Sequence, residues 1–452
     1  MVTQTAQAFS YLRPSEVYSG RESKVVGLET SGGRTPKGAE ANPGFFSGFL
    51  AEPRVAASGL LAVADVAATR YYQPTLKSSL DPVVTGNGDR LRFESFSGCC
   101  GVYARLDILG EGLDGGEIGE GTTNVDVNTP LRIALSRIQA NDPLYLRVGP
   151  DELAVTTLDG PLVEKKVPLP QRWLRGFAET QVIASAFDLR AEVPAGDAAR
   201  FLRSLPTRGR APDLWVLPIG QTLRTTTGPA PGAVCLPGPG RLATLNRVLR
   251  HARTLRLYGP AVAAGSPPVA SAWEVTLTGM RLTLMLSPQV SRGFSGEGAV
   301  LEALAADEVQ ADAELISVLL AWEPRIDVGD LAQQAGLTTH RVRSALTRLA
   351  TAGRVGYDAA EAAYFHRELP YRVGQAELHN PRLRDARELV RAGAVTMVGE
   401  TASVRSGDDV YLVDHHRAVM GCTCQWWVRH RGGRGPCKHA LAVRMTTQGE
   451  NR

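Results

Sequence analysis

The rhythm of hydrophobic and polar positions changes several times along the chain, and each change marks a different element. Residues 1–52 have neither a helical nor a strand period: GLETSGGRTPKGAEANPG is dense in Gly, Pro, Ser and Thr, with Phe45, Phe46 and Phe49 as apolar docking points. An irregular segment is expected there. From Pro53 to about Thr69, PRVAASGLLAVADVAAT repeats apolar residues at helical spacing and predicts one helix packed on the next stretch of chain. From about Arg90 to Leu286 the pattern becomes short β-prone runs punctuated by Gly, Pro and Asp, among them LRFESF, CCGVYARLDIL, LWVLPI, WEVTLTG and RLTLMLS. These predict one or two antiparallel sheet domains, with helices intervening at 130–139 and 196–205. A weak echo between 142–170 and 213–237, each following one of those helices, suggests paired helix-plus-hairpin units that form a platform for protein or nucleic acid.

Helical spacing returns at 319–368. One helix ends near Trp322, before Pro324; Asp327 can cap a short helix VGDLAQQA, Gly336 makes a turn, and Thr338 or Thr339 can cap a helix running to about Ala352. Two β-prone runs, RVGYD and AAYFHRE, follow, an order that predicts a winged helix-turn-helix. In the second of its capped helices Val342, Ala345, Leu346 and Leu349 form the buried stripe, which leaves His340, Arg341, Arg343, Ser344, Thr347 and Arg348 on the open face. Arg with Ser and Thr on such a helix suits phosphates and guanine edges, although winged helices also dock proteins. On the wing, His366 and Arg367 would add to DNA contact only beside a minor groove.

Composition narrows the class. With 43% hydrophobic and 21% charged residues over 452 positions, the chain is globular rather than disordered, collagenous or coiled-coil. Its start, MVTQTAQAFSYLRPSEV, has no basic leader or apolar core, and no apolar run approaches about 18 residues. A cytoplasmic protein with no membrane partner is expected. Lysine occurs at six positions against 44 arginines, a usage that with abundant Ala and Gly points to a GC-rich bacterial genome. Arginine excess alone therefore does not argue for phosphate binding. Distribution is more telling: residues 371–452 hold 13 Arg and Lys against 8 Asp and Glu, while the whole chain is only +4.

The cysteines carry the chemistry. Cys422, Cys424 and Cys437 stand with His439 in GCTCQWWVRHRGGRGPCKHALAV, a Cys-x-Cys and a Cys-x-His separated by twelve residues. In a chain without a secretion signal such clustering reads as metal ligation before disulfide formation. Three thiolates and one imidazole satisfy tetrahedral Zn²⁺ and leave no position for an activated water, so one structural zinc is expected. Gly421 is expected to permit the bend that lets both sulfurs reach one ion. Pro436 suits a helix start that places Cys437 and His439 in a first turn, where the helix N-terminus favours thiolate. The centre would carry −1, which Arg429, Arg431, Arg434 and Lys438 would offset. Nearby, His430 is an alternative ligand, whereas His415 and His416 read as exposed turn residues. Trp426 and Trp427 either pack over the metal or stack on bases or an apolar partner.

This ligand order resembles the SWIM zinc finger, defined by CxCx(n)CxH, and the preceding AVTMVG and VYLVD runs and the following short helix also look like that module. The resemblance covers about 80 residues and implies DNA binding or protein–protein interaction. Chains of this general look sit near AAA+ ATPases and von Willebrand A-type proteins, which implies an adaptor role.

Other signals add little. GEGLDG at 110–115 matches GxGxxG, but no helix follows and its acidic residues would repel a pyrophosphate; Cys99 and Cys100 read as strand or turn residues. No catalytic motif is present, and no enzyme activity or small-molecule substrate is expected. The expected fold is α+β and multidomain: an irregular segment over 1–52, a β-rich platform over 53–295, a winged helix over 300–370 and a small zinc module over 371–446. The functional reading is a zinc-binding, non-enzymatic protein, nucleic-acid-binding or regulatory, that uses a structural SWIM-type zinc finger and a winged helix, with DNA or a partner protein as its partner. The candidate nucleic-acid residues are His340, Arg341, Ser344, Thr347, Arg348, Arg429, Arg431, Arg434 and Lys438. The alternative is an adaptor whose zinc module docks a partner protein.

Overall fold

The computed structural model describes residues 8–9, 11–20, 23–73, 81–140, 142–149, 167–168, 171–206, 212–301, 304, 308–369, 380–416 and 420–450. Its largest element is a ten-stranded antiparallel sheet. In spatial order the strands are Asp188–Pro194, Thr254–Gly259, Ser271–Leu277, Met280–Leu286, Val102–Leu109, Arg90–Phe96, Val83–Asn87, Glu120–Asn124, Gly33–Thr35 and Gly38–Glu40. Helix α1 (Pro53–Ala68) lies across Arg90–Phe96 and Val102–Leu109. Its Ala- and Gly-dense sequence permits that close approach, since a Cβ at Gly59 would meet the Leu106 side chain. Leu60, Leu61 and Val63 join Leu91, Phe93 and Leu106 in the main core.

Residues 16–50, expected to be irregular, instead supply strands to two sheets. Glu16–Ser19, Lys24–Leu28 and Phe46–Leu50 belong to a five-stranded sheet, in which Lys24–Leu28 runs parallel to Leu144–Val148. These short strands are held by partners remote in sequence, so local periodicity does not reveal them. Helices α2 (Thr129–Ser136), α3 (Gln171–Ala184) and α4 (Ala195–Ser204) intervene among the strands. Of the two echoing stretches, 213–237 forms a three-stranded sheet, whereas 142–170 lies largely outside the described residues.

The segment read as a helix-turn-helix with a wing contains α5 (Glu308–Leu319), α6 (Val328–Ala335), α7 (Thr339–Thr351) and the hairpin Val355–Asp358/Ala363–His366. Asp327 caps α6 by accepting from the Gly329 and Asp330 amides at 2.7 and 3.0 Å, and Gly336 ends it at φ +64°. Thr338 caps α7 through the Arg341 amide.

The hairpin does not face solvent. Cross-strand register aligns Arg92, Asp107 and Arg281 in one row across the large sheet, and Asp358 of the hairpin sits over it. Asp107 takes Arg92 and Arg105, each at 2.9 Å; Asp358 takes Arg105 at 2.9 Å and Arg281 at 2.8 Å. Arg367 reaches Glu94 at 2.6 Å with both side chains fully buried. Such charges remain in a low-dielectric interface only because each meets a partner.

At the C-terminus α8 (Pro381–Arg391) precedes a four-stranded sheet of Val395–Val398, Thr401–Ser406, Asp409–Asp414 and Gly421–Cys422, then α9 (Gln425–His430) and α10 (Lys438–Glu450). Leu383 and Ala386 of α8 and Leu441 and Ala442 of α10 pack with Ala178 of α3 and Leu301, joining this module to the rest. The protein is thus mixed α+β and multidomain. Among the described residues, no helix is long and apolar enough to cross a membrane.

Candidate metal centre and the adjoining groove

One strand end and two helix starts bring the four donors together. Cys422 pairs with Val413 across the small sheet, facing its interior. Cys424 occupies the N-cap position of α9. Cys437 does the same for α10, its carbonyl accepting from the Leu441 amide at 3.0 Å and its Sγ from the Ala440 amide at 3.4 Å. A second backbone contact runs from the Cys424 amide to Cys422 Sγ at 3.5 Å. Helix N-termini and amide donors both favour thiolate over thiol. Gly421 keeps an ordinary backbone, and a Cβ there would meet only Asp414 at normal contact distance, so the expected bend does not depend on it.

One ligand atom from each of Cys422, Cys424, Cys437 and His439 lies within 4.8 Å of the others, and all four residues are buried. His439 presents Nδ1, 3.7 Å from Cys422 Sγ, and its ring stacks on Tyr411 at 4.2 Å. Its Nε2 is buried with no hydrogen-bond partner among the described residues, so on that side the stack with Tyr411 holds the imidazole. The cysteines are free thiols. The Cys437 thiol is held down by its hydrogen bond with Cys422, with His439 and the Ala440 amide adding to the effect, while the same thiol pairing pushes Cys422 up. Three sulfurs, one nitrogen and amides already directed at sulfur fit one metal ion.

The surroundings of the centre separate the basic residues. Trp426 packs against its core and has two guanidiniums over its ring, Arg382 at 4.5 Å and Arg434 at 4.7 Å from the centroid. Arg382 also donates to the Arg434 carbonyl at 2.5 Å and the Pro436 carbonyl at 3.2 Å, bracing the loop before Cys437. Arg434 donates to the Gly296 carbonyl at 3.0 Å, and so is spent on internal contacts. Lys438 is half-buried, whereas Arg429 and Arg431 are exposed. His430 lies edge-on to Trp426 and outside the donor cluster; of the two histidines read as exposed turn residues, His416 is exposed, whereas His415 is half-buried and contacts the Gly399 carbonyl. Sequence reasoning passed over Arg382, because nothing local signals a cation that reaches the loop from another helix.

On α7, His340, Arg341 and Arg343 are exposed and Ser344, Thr347 and Arg348 half-buried. Arg341 makes a two-point ion pair with Asp312 of α5, and Arg348 reaches Gln310 of the same helix at 3.2 Å. The hydroxyls of Ser344 and Thr347 return to the His340 and Arg343 carbonyls. Both wing candidates are buried: His366 stacks on Trp322 and meets the Ala321 carbonyl at 2.7 Å, and Arg367 pairs with Glu94. Buried in this way, neither side chain meets the condition under which it would add to DNA contact.

Beside the centre opens a groove of about 500 Å³. One wall is α3, with Val182 and Ile183, and the turn after it, with Ala186; another is the loop of Pro267, Pro268 and Val269; the metal-side wall is Trp427, Gly432, Gly433, Gly435, Pro436 and Leu441. Glu297 and Arg444 are its charged lining residues.

No protein-family model matches the chain, and no curated protein does. Among solved structures it is similar to the proliferating cellular nuclear antigen of Entamoeba histolytica, with 9% identity and a TM-score of 0.33, over 54% of this chain and 99% of that one.

Proposed function

We propose that this protein is a non-enzymatic adaptor whose C-terminal module is a SWIM-type zinc finger and docks a partner protein. The observation that carries the reading is the position of the donor set: the loop between Cys424 and Cys437 forms one wall of the open groove. Zn²⁺ suits three thiolates and an imidazole, and four protein donors would leave it no open coordination position for catalysis. Its role is then to fix the loop, much as structural zinc supplies folding energy elsewhere.

The DNA reading loses support from the engagement of Arg341 and the burial of His366 and Arg367. The winged-helix segment is better read as a docking unit set against the large sheet, with the hairpin as its contact.

Two measurements test the reading together. Elemental analysis of protein purified without added metal should give one zinc per chain. Fluorescence anisotropy against random duplex and single-stranded DNA across a salt series should show no appreciable binding. Tight binding that falls steeply with salt would return the protein to the nucleic-acid class.

A further inference from the structure

Cross-strand register brings three acids into one row. Val83 faces Asn124 where Val83–Asn87 meets Glu120–Asn124, and the Val125 amide carries the pairing on by donating to the Pro82 carbonyl at 3.0 Å. Asp81 therefore stands opposite Asp126. On the other flank the Ser31 amide donates to the Asn124 carbonyl at 3.1 Å, and the Asp126 amide to the Glu29 carbonyl at 3.2 Å. Residues two apart share a face of a strand. Asp81, Asp126 and Glu29 thus form one row and Val83, Asn124 and Ser31 the next, on the side of Tyr11, which packs in the same apolar cluster as Val83.

Of the three acids only Glu29 has cations of its own, Arg13 at 2.8 Å and Arg147 at 3.8 Å. Asp81 Oδ2 accepts from the Tyr11 hydroxyl at 3.1 Å, and Asp126 Oδ2 from the Ser15 amide at 3.0 Å and Asn128 Nδ2 at 2.7 Å. Among the described residues neither carboxylate makes an ion pair, and Oδ1 of each has no partner. Directly opposite residues hold their Cβ atoms about 4.5–5.5 Å apart, where like charges repel. The next row adds two unanswered groups: Asn124 and Ser31 are both 0% exposed, yet the Asn124 amide and the Ser31 hydroxyl have no hydrogen-bond partner among the described residues. Buried polar groups left this way are costly, and a bound ion is one of the few things that answers them. In the cation-free chain a proton relieves the acid pair, since burial, with Asp126 beside it, pushes the Asp81 carboxyl up to about 7.

We propose that this cluster is a second metal site, in which one Oδ1 from each of Asp81, Asp126 and Asn124, with Ser31 Oγ, holds a calcium ion. The donor set is all oxygen, which selects a hard cation over zinc. Two carboxylates match a charge of +2, and the two neutral oxygens come from the row beside them. Calcium fits better than magnesium, because magnesium keeps several of its waters and demands near-octahedral geometry, whereas Asn124 and Ser31 lie where water does not reach. The ion would tie the N-terminal segment, through Ser31, to strand ends of the large sheet at Asp81 and Asn124. This role is separate from the zinc module and does not depend on the adaptor reading.

The test is calorimetric titration of calcium chloride, and separately magnesium chloride, into the zinc-loaded full chain freed of calcium, in buffer basic enough to ionise Asp81. One calcium should bind per chain and raise the melting midpoint as its concentration rises. Magnesium should bind about tenfold more weakly or worse. Asp81→Asn can still accept from Tyr11, so the fold survives, but with one ligand charge gone calcium should bind at least about tenfold more weakly. Asn124→Ala, which removes a neutral ligand, should weaken it as well. Glu111→Gln with Asp114→Asn, in the acidic turn at 110–115, should leave it unchanged. Absence of calcium binding by the parent, or binding that survives both Asp81→Asn and Asn124→Ala, would overturn the site. Equal affinity for magnesium would overturn the choice of calcium.

Discussion

Arg341 and Asp312 form a two-point ion pair, with Nε to Oδ2 at 2.8 Å and Nη2 to Oδ1 at 2.6 Å. The Asp312 side chain is only 8% exposed, so the arginine neutralises a nearly buried charge on α5. A residue that on helical spacing alone belongs to a DNA-reading face is thus committed to holding two helices together.

Replacing Arg341 with Ala should therefore act on stability. Leaving Asp312 buried without this partner costs about 1–3 kcal/mol, visible as a lower urea midpoint. An unchanged midpoint together with a loss of DNA affinity would show the opposite division of labour.

Removal of one sulfur should dismantle the C-terminal module. Cys424→Ser is expected to lose the bound metal and expose 380–450 to limited proteolysis, because metal affinity and folding of such a unit are coupled. Chelation of the parent protein should reproduce the effect. A variant that keeps one metal and the parental digestion pattern would refute the ligand assignment.

Gly435 offers a way to separate metal binding from docking. Its φ is +69°, and a Cβ there would run into the Gly298 carbonyl, a backbone atom that cannot swing aside. Gly435→Ala should keep the four ligands and their metal, yet lower the melting midpoint by displacing the loop from the 296–299 segment. Loss of metal in this variant would show that the loop and the centre are one unit.

The pH dependence of stability should carry the mark of Asp81. Burial, reinforced by Asp126 and opposed by the hydrogen bond from Tyr11, raises its carboxyl from 3.8 to about 7. The native state then holds this proton more tightly than the unfolded chain, so the group's contribution is full below about pH 4 and is lost as pH rises toward 7. Asp81→Asn should match the parent at low pH and gain on it by about 1.4 kcal/mol per pH unit in that window at most, with a plateau above. Urea titrations at several pH values check this; a constant difference would rule it out.

Much of the local structure was legible in sequence. Asp327, Gly336 and Thr338 gave the bounds of α6 and α7 because capping is a short-range interaction. The four donors were legible for the same reason, since ligand spacing is local. What escaped was set by distant partners. Val26 lies opposite Leu146 in a parallel pair that neither stretch advertises. Arg92 and Arg281 look like solvent-facing positions of alternating strands, and only the arrival of Asp358 turns that face into an interface.

Trp426 shows what such long-range assembly makes possible. Its indole meets guanidiniums supplied by α8 and by the metal loop, two stretches far apart in the chain. Both cation contacts on the ring exist only while both stretches stay in place. The residue is a built-in optical gauge, legible by selective labelling of this one indole, of whether the C-terminal module is still assembled.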